Sequence, residues 1–584
     1  SATASSTGIV FNNADGTYNF NGTTTVNGGN STGISIANGS SGTFTFGIGT
    51  SVTKANNVTG AAFSLLSSDA NVTYSGSMSL GTSTGNMVSI DNHDAGTITF
   101  QTGTLTKGVA GPGANATQAI SIANSNGGTI NFNGPLSIFM TTGNAISMTN
   151  NTGGTMNFAG GMSVITTSGI GLNATGGGTV NVCDENPCGA SGTNGALVNA
   201  ITTTTGTAIN VDNTTIGSND LEFRSVSSNG GTNGIILNVT GANGLKVKGD
   251  GTLARNGSGG TINNTSGDAV RLTSANNVTL QSMNLTSNGA NPPLAADAAG
   301  SSGNHTIDAS GGSNLVLSGI FISGSRGTGL LLLNYTGTNR VNNNTRFEDT
   351  LAGAGHGVYV NNTNTNMTLF EMKDSQMIDN AATHTNFFLT NTGTSNMSAE
   401  IKNCLFEDLE TQAVTMSAGG TAATTGTLTS LIGGPGASDD NTFQNAKGLA
   451  ENNVGILVGN GATHNSTLER NLFDNIAKDG TIANTHIIRT QNSGGKMTAN
   501  VKGNIIQNIA YAAGSGGRGA IGHVYEPIAY NAADFSNITI DGNTATNITY
   551  PSLGNNREFV FVDYRTTASG GTVSIKNNSW NMPT

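Results

Sequence analysis

Charge is scarce in this chain: Asp, Glu, Lys and Arg make up 9% of its 584 residues, and aromatic residues only 5%. That is far from the composition of an ordinary mixed α/β domain. The 22 Lys and Arg are scattered and the net charge is -11, so no basic stripe exists to neutralise a phosphate backbone, and nucleic acid is not an expected partner. No apolar run reaches the roughly 20 residues needed to cross a bilayer, so no membrane insertion is expected within this chain. Ser1 to Val10 also lacks the charged and apolar regions of a signal peptide. The 7 His are dispersed without metal spacing, and no Ser-His-Asp set, P-loop or dinucleotide fingerprint is recognisable. No cofactor, metal or catalytic residue is therefore expected.

Cysteine is almost absent too. Cys183 and Cys188 enclose Asp184, Glu185, Asn186 and Pro187, while Cys404 lies far away. The first two are candidates for a local disulfide, which would agree with an oxidising exterior. A zinc site is the weaker reading of the pair, because it needs four ligands and no second Cys or His pair accompanies it. Cys404 reads as buried packing.

What the chain does have is Gly, at 85 positions, and hydrophobic residues, at 35%, recurring at regular places. Apolar surface can thus be buried repeatedly, and order rather than a floppy tail is expected. In the first zone a motif returns as Thr17-Tyr-Asn-Phe20, Thr43-Phe-Thr-Phe46, Asn71-Val-Thr-Tyr74, Thr97-Ile-Thr-Phe100, Thr129-Ile-Asn-Phe132, Thr155-Met-Asn-Phe158 and Thr179-Val-Asn-Val182. Polar and apolar residues alternate in each copy, the period of a strand with one buried face. Two further alternating pieces separate the copies, as in Met162-Ser-Val164 and Ile170-Gly-Leu172. Three strands per repeat describe a triangular coil. Stacking such coils about 4.8 Å apart pairs every strand in parallel and closes a continuous core. The Gly, Asn and Ser clusters between strands are then corners that need left-handed backbone.

From about Asn342 the same logic carries a different signature, seen in Ile401-Lys-Asn-Cys-Leu-Phe406, Leu468-Glu-Arg-Asn-Leu-Phe473 and Val501-Lys-Gly-Asn-Ile-Ile506. Aligning the copies puts Thr345, Ser375, Cys404, Asn441, Asn471, Asn504, Asn543 and Asn578 in one column. An inward Asn can bond the backbone of its own turn and the amide of the next coil, so the column reads as an asparagine ladder that starts with smaller polar residues. Three stretches follow: 1–201 with the Thr-x-x-Phe repeats, 202–341 as a β-helical continuation, and 342–584 with the ladder and longer loops. Asn291 to Gly303 is the expected joint, since Pro292 and Pro293 interrupt pairing. Loops are expected at Thr421 to Asp440 and Tyr511 to Ala533, the places to look for a recognition surface.

At this level the sequence resembles large bacterial surface proteins built from β-helical repeats, including passenger domains of autotransporter-type adhesins. The Gly-Thr-x-x-Phe copies, Thr207-Ala-Ile-Asn-Val211, Leu221-Glu-Phe-Arg224 and Gly259-Gly-Thr-Ile262 carry the resemblance. The region after Asn342 also resembles the β-helix repeat shared by pectate lyases and many non-enzymatic surface proteins. Together the two cover nearly the whole chain. They imply an all-β, right-handed parallel β-helix with three strands per coil, and say little about activity.

Lyases and hydrolases of that fold place carboxylates, with an Arg or Lys, on one sheet face. The nearest candidates are Asp439 and Asp440; Glu407, Asp408 and Glu410; and Asp374 with Asp379, with Arg470, Lys478 and Lys402 as possible bases. Most of these acids alternate with Asn or Gln at equivalent repeat positions, as corner residues would. The Thr-x-Thr strands also suggest an ice-binding rank, but Asn71 breaks it and it continues poorly past Val182. Asn-x-Thr/Ser triplets such as Asn115-Ala-Thr117 are expected by chance in so Asn-rich a chain.

The expected function is that of an extracellular structural or adhesive β-solenoid of a bacterial surface, not an enzyme. The alternative is a β-helix that binds or cleaves polysaccharide as a lyase or hydrolase. Expected partners are a surface glycan, a receptor on a host or neighbouring cell, and the chain itself. Neither end shows a capping helix, which leaves two expectations: the first coil near Val10 to Phe20 meets the last near Val573 to Trp580 head to tail, giving a filament, or the chain is a fragment of a longer protein.

Overall fold

The alternation of the repeats is realised strand by strand in a computed structural model of the chain. It describes all residues other than 1–7, 110–112, 114–116, 190–197, 290–304, 351–354, 381–384, 421–423, 447–452, 477–485, 511–518, 527–532, 550–557, 566–569 and 582–584. The joint expected at Asn291 to Gly303 and the candidate base Lys478 lie outside the described residues. Among the described residues there is no helix. Strands fall in turn into three sheets of 19 strands each, beginning with Ile9–Asn12 in sheet one, Thr17–Phe20 in sheet two and Thr24–Gly28 in sheet three. Pairing is parallel and in register from one coil to the next, as in Thr129↔Thr155 through Phe132↔Phe158. The fold is a parallel β-helix with three strands per coil. Its residues gather into two compact units, Ser1–Thr252 with Asn256–Asn284, and Leu253–Arg255 with Leu285–Thr584.

Within unit one the last residue of the Thr-x-x-Phe motif points inward and stacks on its counterpart in the next coil. Phe20 and Phe46 lie 5.0 Å apart between ring centroids, Phe100 and Phe132 4.9 Å, and Phe132 and Phe158 4.9 Å. Tyr74 joins the stack and gives its hydroxyl hydrogen to the Ser77 carbonyl at 2.8 Å, so its polar tip is not orphaned. The corner after sheet one turns through left-handed residues at Asn13, Asn38, Ser67, Asn92, Asn124 and Asn150. Asn tolerates that conformation better than other non-glycine residues do. Stacked corners leave no room for side chains at some positions: a Cβ on Gly103 would lie 1.7 Å from the Gly76 carbonyl oxygen.

Within unit two the corner between sheets two and three carries the polar column. Asn441 Nδ2 donates to Asn471 Oδ1 at 2.9 Å, Asn471 Nδ2 to Asn504, Asn504 Nδ2 to Asn543, and Asn543 Nδ2 to Asn578, each also at 2.9 Å. Each of these four Nδ2 groups also donates to a backbone carbonyl of the strand behind, as Asn471 does to Ile432 at 3.0 Å. Cys404 takes part through its backbone N–H, which donates to Asn441 Oδ1 at 2.9 Å. Thr345 and Ser375 bond within their own turn, to the carbonyls of Asn342 and Lys373 at 2.8 Å each. A ring stack runs through sheet three nearby, Phe406 to Phe443 to Phe473 at 4.7 Å per step.

Two expected loops need correction. Thr421 to Asp440 contains the sheet-two strand Thr427–Gly433, and Tyr511 to Ala533 contains the sheet-one strand Ile521–Tyr525. Leu428 and Ile432 in the first and Ile521 and Val524 in the second are buried, so apolar burial holds these segments in the coil despite their Gly- and Thr-rich flanks.

Candidate functional site

Charge is concentrated in unit one at a single stretch. Through Val182 the only charged residues are Asp15, Lys54, Asp69, Asp91, Asp94 and Lys107. Asp184, Glu185, Asp220, Glu222, Lys246 and Lys248 then gather on one outer face. They lie on or just past the sheet-two strands of three successive coils, Thr179–Val182, Thr215–Phe223 and Leu245–Val247. The middle strand is nine residues long, and its register slips so that Val180 faces Ile216 while Val182 faces Leu221. The surplus from Gly217 to Asp220 is a bulge, with Asp220 left-handed at φ 58. Past the bulge Leu221 and Phe223 point inward and Glu222 outward, directly opposite Lys246 of the next coil.

Lys248 sits between two acids, its Nζ 2.9 Å from Asp184 Oδ2 and 2.9 Å from Glu222 Oε1. Lys246 Nζ pairs with Asp220 and lies 3.6 Å from Glu222. One oxygen each from Asp184, Glu185 and Glu222 fall within 4.8 Å of one another. Beside them opens a cavity of about 300 Å³ lined by Asp184, Glu222, Phe223, Arg224, Lys248 and Asp250. Cys183 and Cys188 are bonded, with S–S 1.96 Å and Cα–Cα 5.4 Å, and so fix the turn that holds Asp184 and Glu185.

Proximity splits the acids. Burial alone would raise Asp184, but hydrogen bonds from Glu222 and Glu185, together with the Lys248 ammonium, outweigh it and hold Asp184 well below the usual carboxylate range. Glu222 goes the other way: burial, then its hydrogen bond with Asp184, raise it against the pull of Lys248. Burial and Asp184 raise Glu185 too. Lys248 rises, because its bonds to both acids exceed the opposing effect of burial. A carboxyl held low beside one pushed up is the relation found in acid–base pairs. The pair is tighter than the roughly 5–5.5 Å that separates the two carboxyl groups of a retaining glycosidase. The three acids offer oxygens suited to a hard cation, but the ammonium of Lys248 already lies among them.

The acids singled out from sequence have other surroundings. Asp374, Asp379 and Asp408 are corner residues with φ of 50, 48 and 52, in line with Asn403, Asn445 and Asn475 of other coils. Asp374 accepts from Asn403 Nδ2 at 2.6 Å, and Glu407 from Gln444 Nε2 at 2.6 Å. Asp440 forms a two-pronged pair with Arg470 at 3.0 and 3.2 Å, Asp439 accepts from the Gly436 N–H, and Lys402 pairs with Glu400 at 2.7 Å. These groups are spread over successive coils instead of converging.

Asp184, Glu222 and Lys248 do converge, and reading the sequence missed them. The signal available was Glu222 against Lys246, opposite charges at facing outward positions of consecutive coils, with Lys248 two residues on. No protein-family model matches this chain, and no curated protein matches it either.

Proposed function

We propose that the chain is a structural or adhesive β-solenoid of a bacterial cell exterior whose faces take up neutral, hydroxyl-rich surfaces such as glycans. The observation that carries this is where the charges of the first six coils point. Asp15 accepts from Ser41, Asp69 from the N–H groups of Asp94 and Ala95, Asp94 from the Asn126 N–H, and Asp91 from Asn124 Nδ2. Lys54 and Lys107 are buried and donate to backbone carbonyls, Lys107 to Ser83 at 2.7 Å and to Gly85. Each charge is thus bound to a neighbouring turn.

The sheet-two face is left with two columns in register, Thr17, Thr43, Asn71, Thr97, Thr129 and Thr155 beside Asn19, Thr45, Thr73, Thr99, Asn131 and Asn157. Hydroxyls and amides repeat at about the 4.8 Å spacing of paired strands. A periodic face without free charge favours a periodic neutral partner and gives a polyanion nothing to grip. The extracellular setting is supported by the Cys183–Cys188 bond. The test is retention of the full chain on immobilised neutral and acidic glycans. Retention on the neutral series is expected; retention on the acidic series alone would overturn the reading.

A second reading, a β-helix that binds or cleaves polysaccharide, is favoured by the acid–base pair beside the cavity at Asp184 and Glu222. It predicts that Glu222→Gln abolishes release of oligosaccharides from a polysaccharide the intact chain degrades. No release from any neutral or acidic polysaccharide would remove it.

A further inference from the structure

The turn closed by Cys183 and Cys188 does more than hold its own ends. Cys183 is fully buried and anchored on both sides: its N–H donates to the Phe158 carbonyl at 2.9 Å, and its carbonyl accepts from Asn199 Nδ2 at 2.8 Å. From this anchor two arms leave in opposite directions along the stack. Asn186 Nδ2 reaches back to the Asn133 carbonyl at 2.7 Å, two coils earlier. Asp184 Oδ2 reaches forward to Lys248 Nζ at 2.9 Å, two coils later. Glu185 ties the exit of the turn by accepting from the Gly189 N–H at 2.8 Å. One six-residue turn therefore touches a span of five consecutive coils, those of Thr129–Phe132, Thr155–Phe158, Thr179–Val182, Thr215–Phe223 and Leu245–Val247.

We propose that this turn is a thiol-sensitive clamp: oxidised, it braces five coils from outside and holds Asp184 against Lys248 and Glu222; reduced, it releases both arms while the coils stay folded. The order of events follows from access. Cys188 is half-buried whereas Cys183 is fully buried, so the thiolate of an external thiol or dithiol attacks Cys188 Sγ. The S–S bond breaks and Cys183 leaves as thiolate and takes a proton. A second thiol resolves the mixed disulfide, so two electrons and two protons reach the protein and the reductant leaves as its disulfide. The effect is local for two reasons. Closing so short a loop constrains the unfolded chain little. The sheets on either side keep their own backbone ladders, which the turn does not supply.

The clamp is tested on the full chain, oxidised and after dithiothreitol with alkylation, by hydrogen exchange and by the rate at which Lys248 is acylated by an amine-reactive ester. On reduction, amides of 129–134, 179–189 and 245–249 are expected to exchange about tenfold faster, with Lys248 acylated faster and Thr43–Tyr74 unchanged. The Cys183→Ser/Cys188→Ser double variant should match the reduced protein. Asn186→Ala, with the bond intact, should loosen 129–134 while leaving Lys248 protected. Unchanged exchange and acylation with both thiols titrated as free would overturn the clamp. So would loss of protection extending to Thr43–Tyr74, since the bond would then be a requirement of the whole unit.

Discussion

The first six coils of unit one stack rings in their core and bind their few charges to turns, whereas unit two stacks amides at one corner and carries charged residues in most coils. Both arrangements satisfy coils lying on coils, but they differ in what they demand of each residue. A ring between two rings gains from dispersion and apolar burial, which are non-directional, so Phe, Tyr and finally Val182 can follow one another in one column. An amide in the ladder gives one hydrogen bond to the next coil and one to the strand behind, and its oxygen serves the previous coil. Its neighbours are incomplete without it.

The same replacement should therefore hurt unit two far more. Asn471→Leu removes the Asn441 amide's partner in the next coil and the donor to the Ile432 carbonyl, and should cost about 4 kcal/mol in a denaturant titration followed by a probe in unit two. An equal cost in the two units would break the comparison.

The next effect is of pH. Burial lowers Lys107 from 10.5 to about 8. Because its folded value lies below its unfolded one, the unfolded chain holds the extra proton between pH 8 and 10.5, so stability should rise with pH across that window and fall as pH drops through 8. The gain is roughly 3 kcal/mol at most. Lys107→Met should flatten the slope; an unchanged slope would place its origin elsewhere.

Phe132→Leu, the ring counterpart of the amide replacement, should cost only about 1.5 kcal/mol, because an apolar side chain of nearly fitting volume keeps most of the burial. The smallest effect should be a gain. Val239 is a β-branched residue at φ 51 in a corner where other coils of unit one have Asn, Ser or Gly, and Val239→Asn should stabilise unit one by about 1 kcal/mol. Thermal melting of the variant measures it.

Features repeated in every coil were legible. Alternation in Thr129-Ile-Asn-Phe132 specifies which side chains are buried, and the spacing of Asn441, Asn471 and Asn504 specifies which amides meet. Of the features that occur once, the Cys183–Cys188 bond was legible from its spacing, and the charge cluster beside it was not. Asp184 and Glu222 meet only because a bulge takes up Gly217 to Asp220, and period-two reading has no term for a bulge. Lys54 and Lys107 hide for a related reason: they occupy inward positions of strands, where a charge is not expected unless carbonyls at the next corner receive it. The strands inside Thr421 to Asp440 and Tyr511 to Ala533 were hidden by Gly- and Thr-rich flanks, which resemble turns.

The adhesive reading rests on a face without free charge, and the salt dependence of adhesion tests that most directly. Binding of the full chain to a neutral glycan should be unchanged between about 50 mM and 200 mM salt. It should be lost in Thr45→Asp/Thr73→Asp/Thr99→Asp, whose outward changes leave the core columns intact. Binding that falls steeply with salt, or that survives the triple substitution, would contradict the account.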